Sequence, residues 1–387
     1  MQTTISPYLK KTCKGLLAAG LMGAAALPAS AGAKIEFGDD KWVSIGAGFR
    51  ASFNAVENGS PNGESYSKDF TLNNMRLYLG GQIAEGFKAT FNTEYIDDEI
   101  KVLDAIAQYE PMDEFNIWFG RMLTPADRIE MNGPFYGLTW NQYTVPLFPS
   151  DQGGEAGRYG RDNGVTVWGS AGKFQYAVGA FSGYKGASNG DSSLLYATRL
   201  AYNFLNMEKN PGYYTSSTYY GKAGDIFTIG FSAQTQSGGT GTEADSRSFT
   251  GYALDVFFEK VLGDAGVLTM EGEYKVFDAD LPAAARNDAD CFCLFNGDSF
   301  FVTAAYLVPP TGPGSFQPYV RYTSNNADGP TPASDGKSDL TELGVNYVLQ
   351  GHNLRLNFNA TSGDANASGF KAAESVNSFT FGLQYQI

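Results

Sequence analysis

Residues 70–96 read FTLNNMRLYLGGQIAEGFKATFNTEYI, and this stretch decides the fold. In its first arm Met75, Leu77, Leu79, Gly81 and Ile83 alternate with Asn74, Arg76, Tyr78, Gly80 and Gln82, giving one apolar and one mostly polar face. Ala84 to Gly86 then reverses the chain. In the second arm Phe87, Ala89, Phe91, Thr93 and Tyr95 form the apolar row, opposite Lys88, Asn92 and Glu94. Each arm is about ten residues or slightly more, the length a tilted strand needs to cross bilayer hydrocarbon. A soluble sandwich would bury the apolar row against a second sheet, whereas a membrane barrel turns it towards lipid.

The same alternation recurs from Trp42 to Ile387 with no break in composition, so one domain is expected over residues 34–387. Counting the hairpin arms gives about sixteen strands, an even number as a closed bacterial barrel requires. The connectors sort by length. Ala84 to Gly86, Pro111 to Glu114, Ser170 to Gly172 and Gln350 to His352 are short; Asn54 to Asp69, Leu123 to Asn163 and Thr235 to Ser248 are long and rich in Gly, Ser, Asn and Asp. Short turns at one rim and long loops at the other mark an all-β, transmembrane antiparallel β-barrel of the outer-membrane kind. Two connectors break the rule: Asp97 to Glu99 is short where a loop is due, and Leu205 to Gly224 is long where a turn is due. Leu123 to Asn163, the third loop, carries Pro134, Phe135, Tyr136, Trp140, Tyr143 and Phe148. It is too apolar for free solvent, so it is expected to fold inward and narrow the lumen.

The first 33 residues read as a cleaved signal peptide: Lys10, Lys11 and Lys14, then an apolar run from Gly15 to Leu27, then small residues around Ala31 and Ala33. The formal charge of −14 becomes more negative once those lysines leave, which argues against a nucleic-acid partner. The chain also has 47 Gly, 23 Tyr and 28 Phe, the profile of an exported barrel.

Several short patterns, in order, resemble the phosphate-selective porin O and P family of Gram-negative outer membranes. They are Phe70-x-Leu72-x-x-x-Arg76-Leu77-Tyr78-Leu79-x-Gly81, Gly86-Phe87-x-x-x-Phe91, and Asp104-Ala105 before Tyr109-x-Pro111. Phe119-Gly120-Arg121-Met122-x-Thr124-Pro125, Gly160-Arg161-Asp162-x-Gly164-Val165 and Val178-Gly179-Ala180-Phe181-x-Gly183 continue the series. The resemblance implies a sixteen-stranded barrel, a homotrimer set in outer-membrane lipid, an inward third loop, and passive passage of small hydrophilic solutes or ions, including anions such as phosphate. Its final aromatic is replaced here by Ile387.

An anion pore needs a ladder of cations. Strand parity places Arg50, Arg76, Lys88, Arg199, Arg321 and Arg355 on the lumen face, but Glu94, Asp104, Asp255, Glu271, Glu273 and Glu342 share it. The lining is therefore mixed, and phosphate selectivity does not carry over. Arg121, Arg128, Arg158 and Arg161 flank or sit in the third loop, with the acids Asp127, Glu130, Asp151, Glu155 and Asp162. They either set a transverse field across a constriction or pair to hold the loop. Tyr136, Trp140 and Tyr143 are packing residues or a slide for sugars or aromatic acids. Trp42, Trp118, Trp168, Tyr78, Tyr95, Tyr109, Tyr347 and Tyr385 are expected at lipid headgroup level.

Cys291 and Cys293 are a possible disulfide in an exported loop, and no metal spacing accompanies them. No cofactor motif is present, and the one histidine, His352, falls in a short turn away from any triad. The readings are thus a diffusion porin, a barrel sleeve around a partner such as an electron carrier (for which Leu205 to Gly224 is the only hint), or a secreted β-sandwich binding protein. None is enzymatic.

Overall fold

A computed structural model of the chain describes residues 32–96, 99–152, 159–279, 281, 290–328, 337–364 and 375–387. The expected signal peptide, apart from its last two residues, lies outside these, as do Arg158 and Glu155.

The strands are β1 (Ala33–Gly38), β2 (Lys41–Val56), β3 (Asp69–Ala84), β4 (Phe87–Ile96), β5 (Glu99–Met112), β6 (Phe115–Leu123), β7 (Arg161–Ala171), β8 (Phe174–Phe181) and β9 (Leu195–Asn203). After them come β10 (Ile226–Gly241), β11 (Ser246–Val261), β12 (Val267–Asp278), β13 (Gly297–Leu307), β14 (Ser315–Ala327), β15 (Lys337–Val348), β16 (Leu354–Gly363) and β17 (Val376–Gln386). From β2 to β17 each strand pairs antiparallel with the next, and β17 pairs back onto β2, which closes a sixteen-stranded barrel. At the closure Phe381 stands opposite Phe53 and Tyr385 opposite Phe49, and the Ile387 and Ala47 main chains exchange hydrogen bonds of 2.8 and 3.0 Å. Closure leaves no unpaired barrel edge, which a bilayer would penalise. The added β1 folds back on the start of β2, Ala33 opposite Ile45, where β17 has already ended.

Burial runs opposite to that of a soluble sheet. Leu77 is 41% exposed, Phe91 44%, Phe119 67% and Phe358 51%, while the alternate positions Arg76, Asp104, Gln317 and Arg355 are buried. An apolar outer row over a polar inner row is stable only against lipid, since water would penalise the first and a dry interior the second. The turn of the deciding hairpin depends on Gly86, whose φ of 73° suits glycine; a Cβ there would also stand 3.1 Å from the Glu110 carbonyl oxygen.

Both irregular connectors are present in the fold. β4 ends at Ile96 and β5 begins at Glu99, so that connection is short; β9 ends at Asn203 and β10 begins at Ile226, so residues 204–225 form a long segment at the short-turn rim. Among the described residues between β6 and β7 are two helices, α1 (Arg128–Tyr136) and α2 (Pro149–Gln152). Asp127 caps α1, its carboxylate accepting from Glu130 N at 3.1 Å, and Gly133-Pro134 breaks its path, with Gly133 at φ 61°.

Candidate functional site: the inner row and the segments that meet it

Residues 124–148 bond to the inner row around the barrel. On one side Arg50 donates to Trp140 O at 2.7 Å and lies 4.0 Å over the Trp140 ring. Arg355 donates to Gly137 O at 2.7 Å, and Arg321 to the carbonyls of Asn141 and Gln142. Asn346 donates to Leu138 O at 2.9 Å and Asn325 to Thr144 O at 3.1 Å. On the other side Gln234 reaches Pro125 O at 2.9 Å and Arg199 reaches Ala126 O at 3.1 Å. The strand side chains thereby satisfy the carbonyls that an irregular segment leaves open.

The segment 204–225 meets α1. Arg128 grips Glu208 with two nitrogens, at 2.8 and 2.7 Å, and donates to Ser216 O at 3.0 Å. Asn132 donates to Ser217 Oγ at 2.6 Å, and Ser217 N to Tyr136 O at 3.0 Å. Burial opposes charge on Glu208, but Arg128 outweighs it and holds the carboxyl below its usual range. Glu259 on β11 anchors the same segment, accepting from Thr218 Oγ1, Tyr219 N and Gly221 N. His352 sits between the rings of Tyr136 and Tyr220, 5.0 and 4.9 Å away, with Nε2 3.0 Å from Thr218 O. Burial, then Arg355, pushes its imidazole down to about 3, so it stays neutral and works as a packing and hydrogen-bonding wedge.

Other charges pair across the inner row. Arg76 bonds Glu94 at 2.9 Å, Arg161 bonds Asp104 at 3.1 Å, Arg199 bonds Asp255 at 2.5 Å and Arg321 bonds Glu342 at 2.9 Å. Lys88 pairs with Glu110 at 2.6 Å nearer the short-turn rim, beside a cavity of about 500 Å³ lined in part by Asn116, Trp168, Glu208 and Tyr213. Lys275, which strand parity makes an inner-row residue but which sequence reasoning passed over, lies 2.5 Å from Asp127 and 2.7 Å from Glu130. Its signal was the alternation Glu271-x-Glu273-x-Lys275. Burial pushes the Glu130 carboxyl well up, and Lys275 only partly offsets that. The same cause lifts Asp151 to about 6.

Some placements differ from expectation. Arg121 is not on the pore wall: it pairs in register with Ala105, two residues beyond the exposed Phe119, and its Nε donates to Val102 O at 3.2 Å. Trp118, Trp168 and Tyr78 are not headgroup-level residues. Trp118 packs 5.2 Å from Tyr213 and 5.4 Å from Trp168, and Tyr78 lies edge-on to Phe135 at 6.5 Å, so all three belong to the inner row. Parity overrides proximity to a strand end. Cys291 and Cys293 are joined by a disulfide, beside Phe292, whose ring stacks on Tyr184 at 4.2 Å.

Residues 43–387 match the family described as phosphate-selective porin O and P. An uncharacterised protein of Aquifex aeolicus (strain VF5) is 24% identical over 319 residues, 77% of this chain and 70% of that protein. Among solved structures, OmpF of Salmonella typhi in complex with daunomycin is similar at TM-score 0.57 and 10% identity, over 92% of this chain and 100% of that one. OprB of Pseudomonas putida gives 0.57 and 10%, over 90% and 94%. A loop-deletion mutant of OmpT of Vibrio cholerae gives 0.55 and 14%, over 90% and 100%.

Proposed function

The chain belongs to the phosphate-selective porin O and P family and is an outer-membrane porin channel, and from that premise we propose that it passes small hydrophilic solutes or ions passively through a lumen narrowed by its third loop. The observation that carries the reading is the inversion of burial around a closed sheet, apolar side chains outside and charged ones within. The contacts of residues 124–148 with inner-row side chains on β2, β9, β10, β14, β15 and β16 support an inward third loop. Arg50, Arg76, Arg199, Arg321 and Arg355, with Glu94 and Asp104, are the wall of that constriction, and Arg128 and Arg161 fix the loop to it; Lys88 lines the approach from the short-turn rim.

A sleeve for a partner protein needs an empty lumen, and here two segments of the chain itself, 124–152 and 204–225, engage the inner row. The reading is of a channel rather than an enzyme, assembled as a homotrimer. Phosphate preference is not part of it, since five inner-row or loop arginines each face a carboxylate. Reconstitution into planar bilayers tests it: conductance in steps grouped by three is expected, and a detergent-folded protein that never conducts would refute it.

A further inference from the structure

Residues 204–225 do not fill their end of the barrel. Between them and the wall from β5 to β9, where the passage meets the short-turn rim, a cavity of about 500 Å³ stays open, a size typical of small-molecule sites. Its aromatic side is in place before any guest arrives. Trp118 is the buried hub, and Trp168, Tyr213 and Tyr214 pack around it with ring centroids 5.4, 5.2 and 5.8 Å away. Trp118 Nε1 donates to Glu110 Oε1 at 2.8 Å and Lys88 donates to Oε2 at 2.6 Å, which ties the hub to the wall. Gly212, at φ 63°, lets the segment lie on the same indole, where a Cβ would clash. Trp168 and Tyr214 are only half-buried, so ring surface remains for a guest.

Charge narrows the guest. Three cations that line the cavity are already matched, Lys88 to Glu110 at 2.6 Å, Arg128 to Glu208 at 2.7 Å and Arg199 to Asp255 at 2.5 Å. Lys209 and Asp113, both exposed, add one charge of each sign. A charged solute therefore finds no net field to hold it. Neutral hydrogen-bonding capacity remains. Gln175 gives one N–H to Glu208 O at 3.0 Å and Asn210 one to the Tyr219 hydroxyl at 2.8 Å, and each amide nitrogen carries a second. Ring faces beside neutral amides suit a solute with C–H faces and hydroxyl edges. We propose that this cavity is a saccharide subsite, taking one or two neutral pyranose rings with their C–H faces against Trp168 and Tyr214 and their hydroxyls towards Gln175, Asn210 and Ser170. The inference rests on the porin reading for the solute's route to the cavity, and names a solute class for that passage; binding itself is measured without conduction.

The test is saturation-transfer difference NMR on the full mature chain folded in an amine-oxide detergent, which has no sugar headgroup, titrated with maltose and with glucose. Saturable transfer to the pyranose C–H protons is expected, undisturbed by benzoate or phosphate. The apparent dissociation constant should rise about three- to tenfold in Trp168→Leu and by a similar factor in Asn210→Ala. No saturable transfer from either sugar up to about 100 mM overturns the inference. So does displacement by benzoate or phosphate, which would make the cavity a site for acids, and so do unchanged constants in variants that fold to the same heat-resistant barrel. If Trp168→Leu does not fold, Asn210→Ala, which lies outside the strands, decides. Potassium chloride conductance in planar bilayers, expected to fall saturably with maltose, separates the two readings: a chain that binds maltose but never conducts overturns the porin reading, whereas one that conducts and binds no sugar overturns the subsite alone.

Discussion

Phe91 lies near the middle of β4 on the exposed apolar row, and Thr90 beside it belongs to the polar one. A charge placed on the lipid side of a strand near the bilayer midplane costs about 2–4 kcal/mol. Phe91→Arg is therefore expected to lower folding stability in lipid vesicles by about that much in urea titrations, whereas Thr90→Arg, facing the lumen, should cost less than half of it. Asp151 makes a second prediction. It faces Glu130 and Asp127 of the α1 region, Lys275 of β12, Arg161 of β7 and Tyr143 of its own loop. Burial raises its carboxyl from 3.8 to about 6, so the docked loop favours the neutral acid. Docking is then strongest in acid and weakens as pH rises through about 6. Amide exchange in residues 124–152 should be slower at pH 5 than at pH 7.5 after correction for intrinsic rates, and Asp151→Asn should remove the difference. What the sequence disclosed at this scale was parity. It put Arg50, Arg76 and Arg355 on the inner row, and parity applied to β6, where Trp118 and Met122 are inner, also excludes Arg121 from it. The error there came from reading nearness to the loop as direction.

The two segments that meet inside the barrel were legible to different degrees. The third loop announced itself by apolar composition, because a loop with that many aromatic side chains must pack on something. Residues 204–225 carried only an anomalous length. Their structure is set by partners far away in sequence, Arg128 for Glu208, Glu259 for Thr218 and Gly221, Met131 O for Thr215 N, and no local periodicity encodes such pairings. Removing one member of a buried ion pair typically costs about 3–5 kcal/mol when the survivor is left unpaired; here Arg128 would keep Asp255, 3.3 Å from its Nε, so the cost falls below that and the loss is mainly of the grip on the segment. Glu208→Ala is thus expected to free 204–225 from α1. Faster proteolytic cleavage within 204–225 in otherwise intact barrels is the predicted result, together with a larger single-channel conductance. Arg128→Ala should reproduce both, and a Glu208→Ala barrel with unchanged cleavage would show that the segment is held by something else.

At the scale of the whole molecule, sixteen strands and one closure follow from a single rule, that the apolar face of each strand meets lipid and the polar face encloses the passage. Strand rhythm made that readable from end to end, including the final strand whose Ile387 bonds back to Ala47. Charge selectivity was not readable, because it depends on which charges find partners once the loops are in place. The rule is tested most directly by placing a fluorescent indole on the outer row through Phe91→Trp, with the barrel reconstituted in vesicles whose acyl chains carry bromine. The fluorescence added over the parent protein should be strongly quenched, while Trp118 and Trp140, both under 5% exposed on the inner side, keep their emission. An unquenched signal from the introduced indole, or quenching of the native inner tryptophans, would contradict the account.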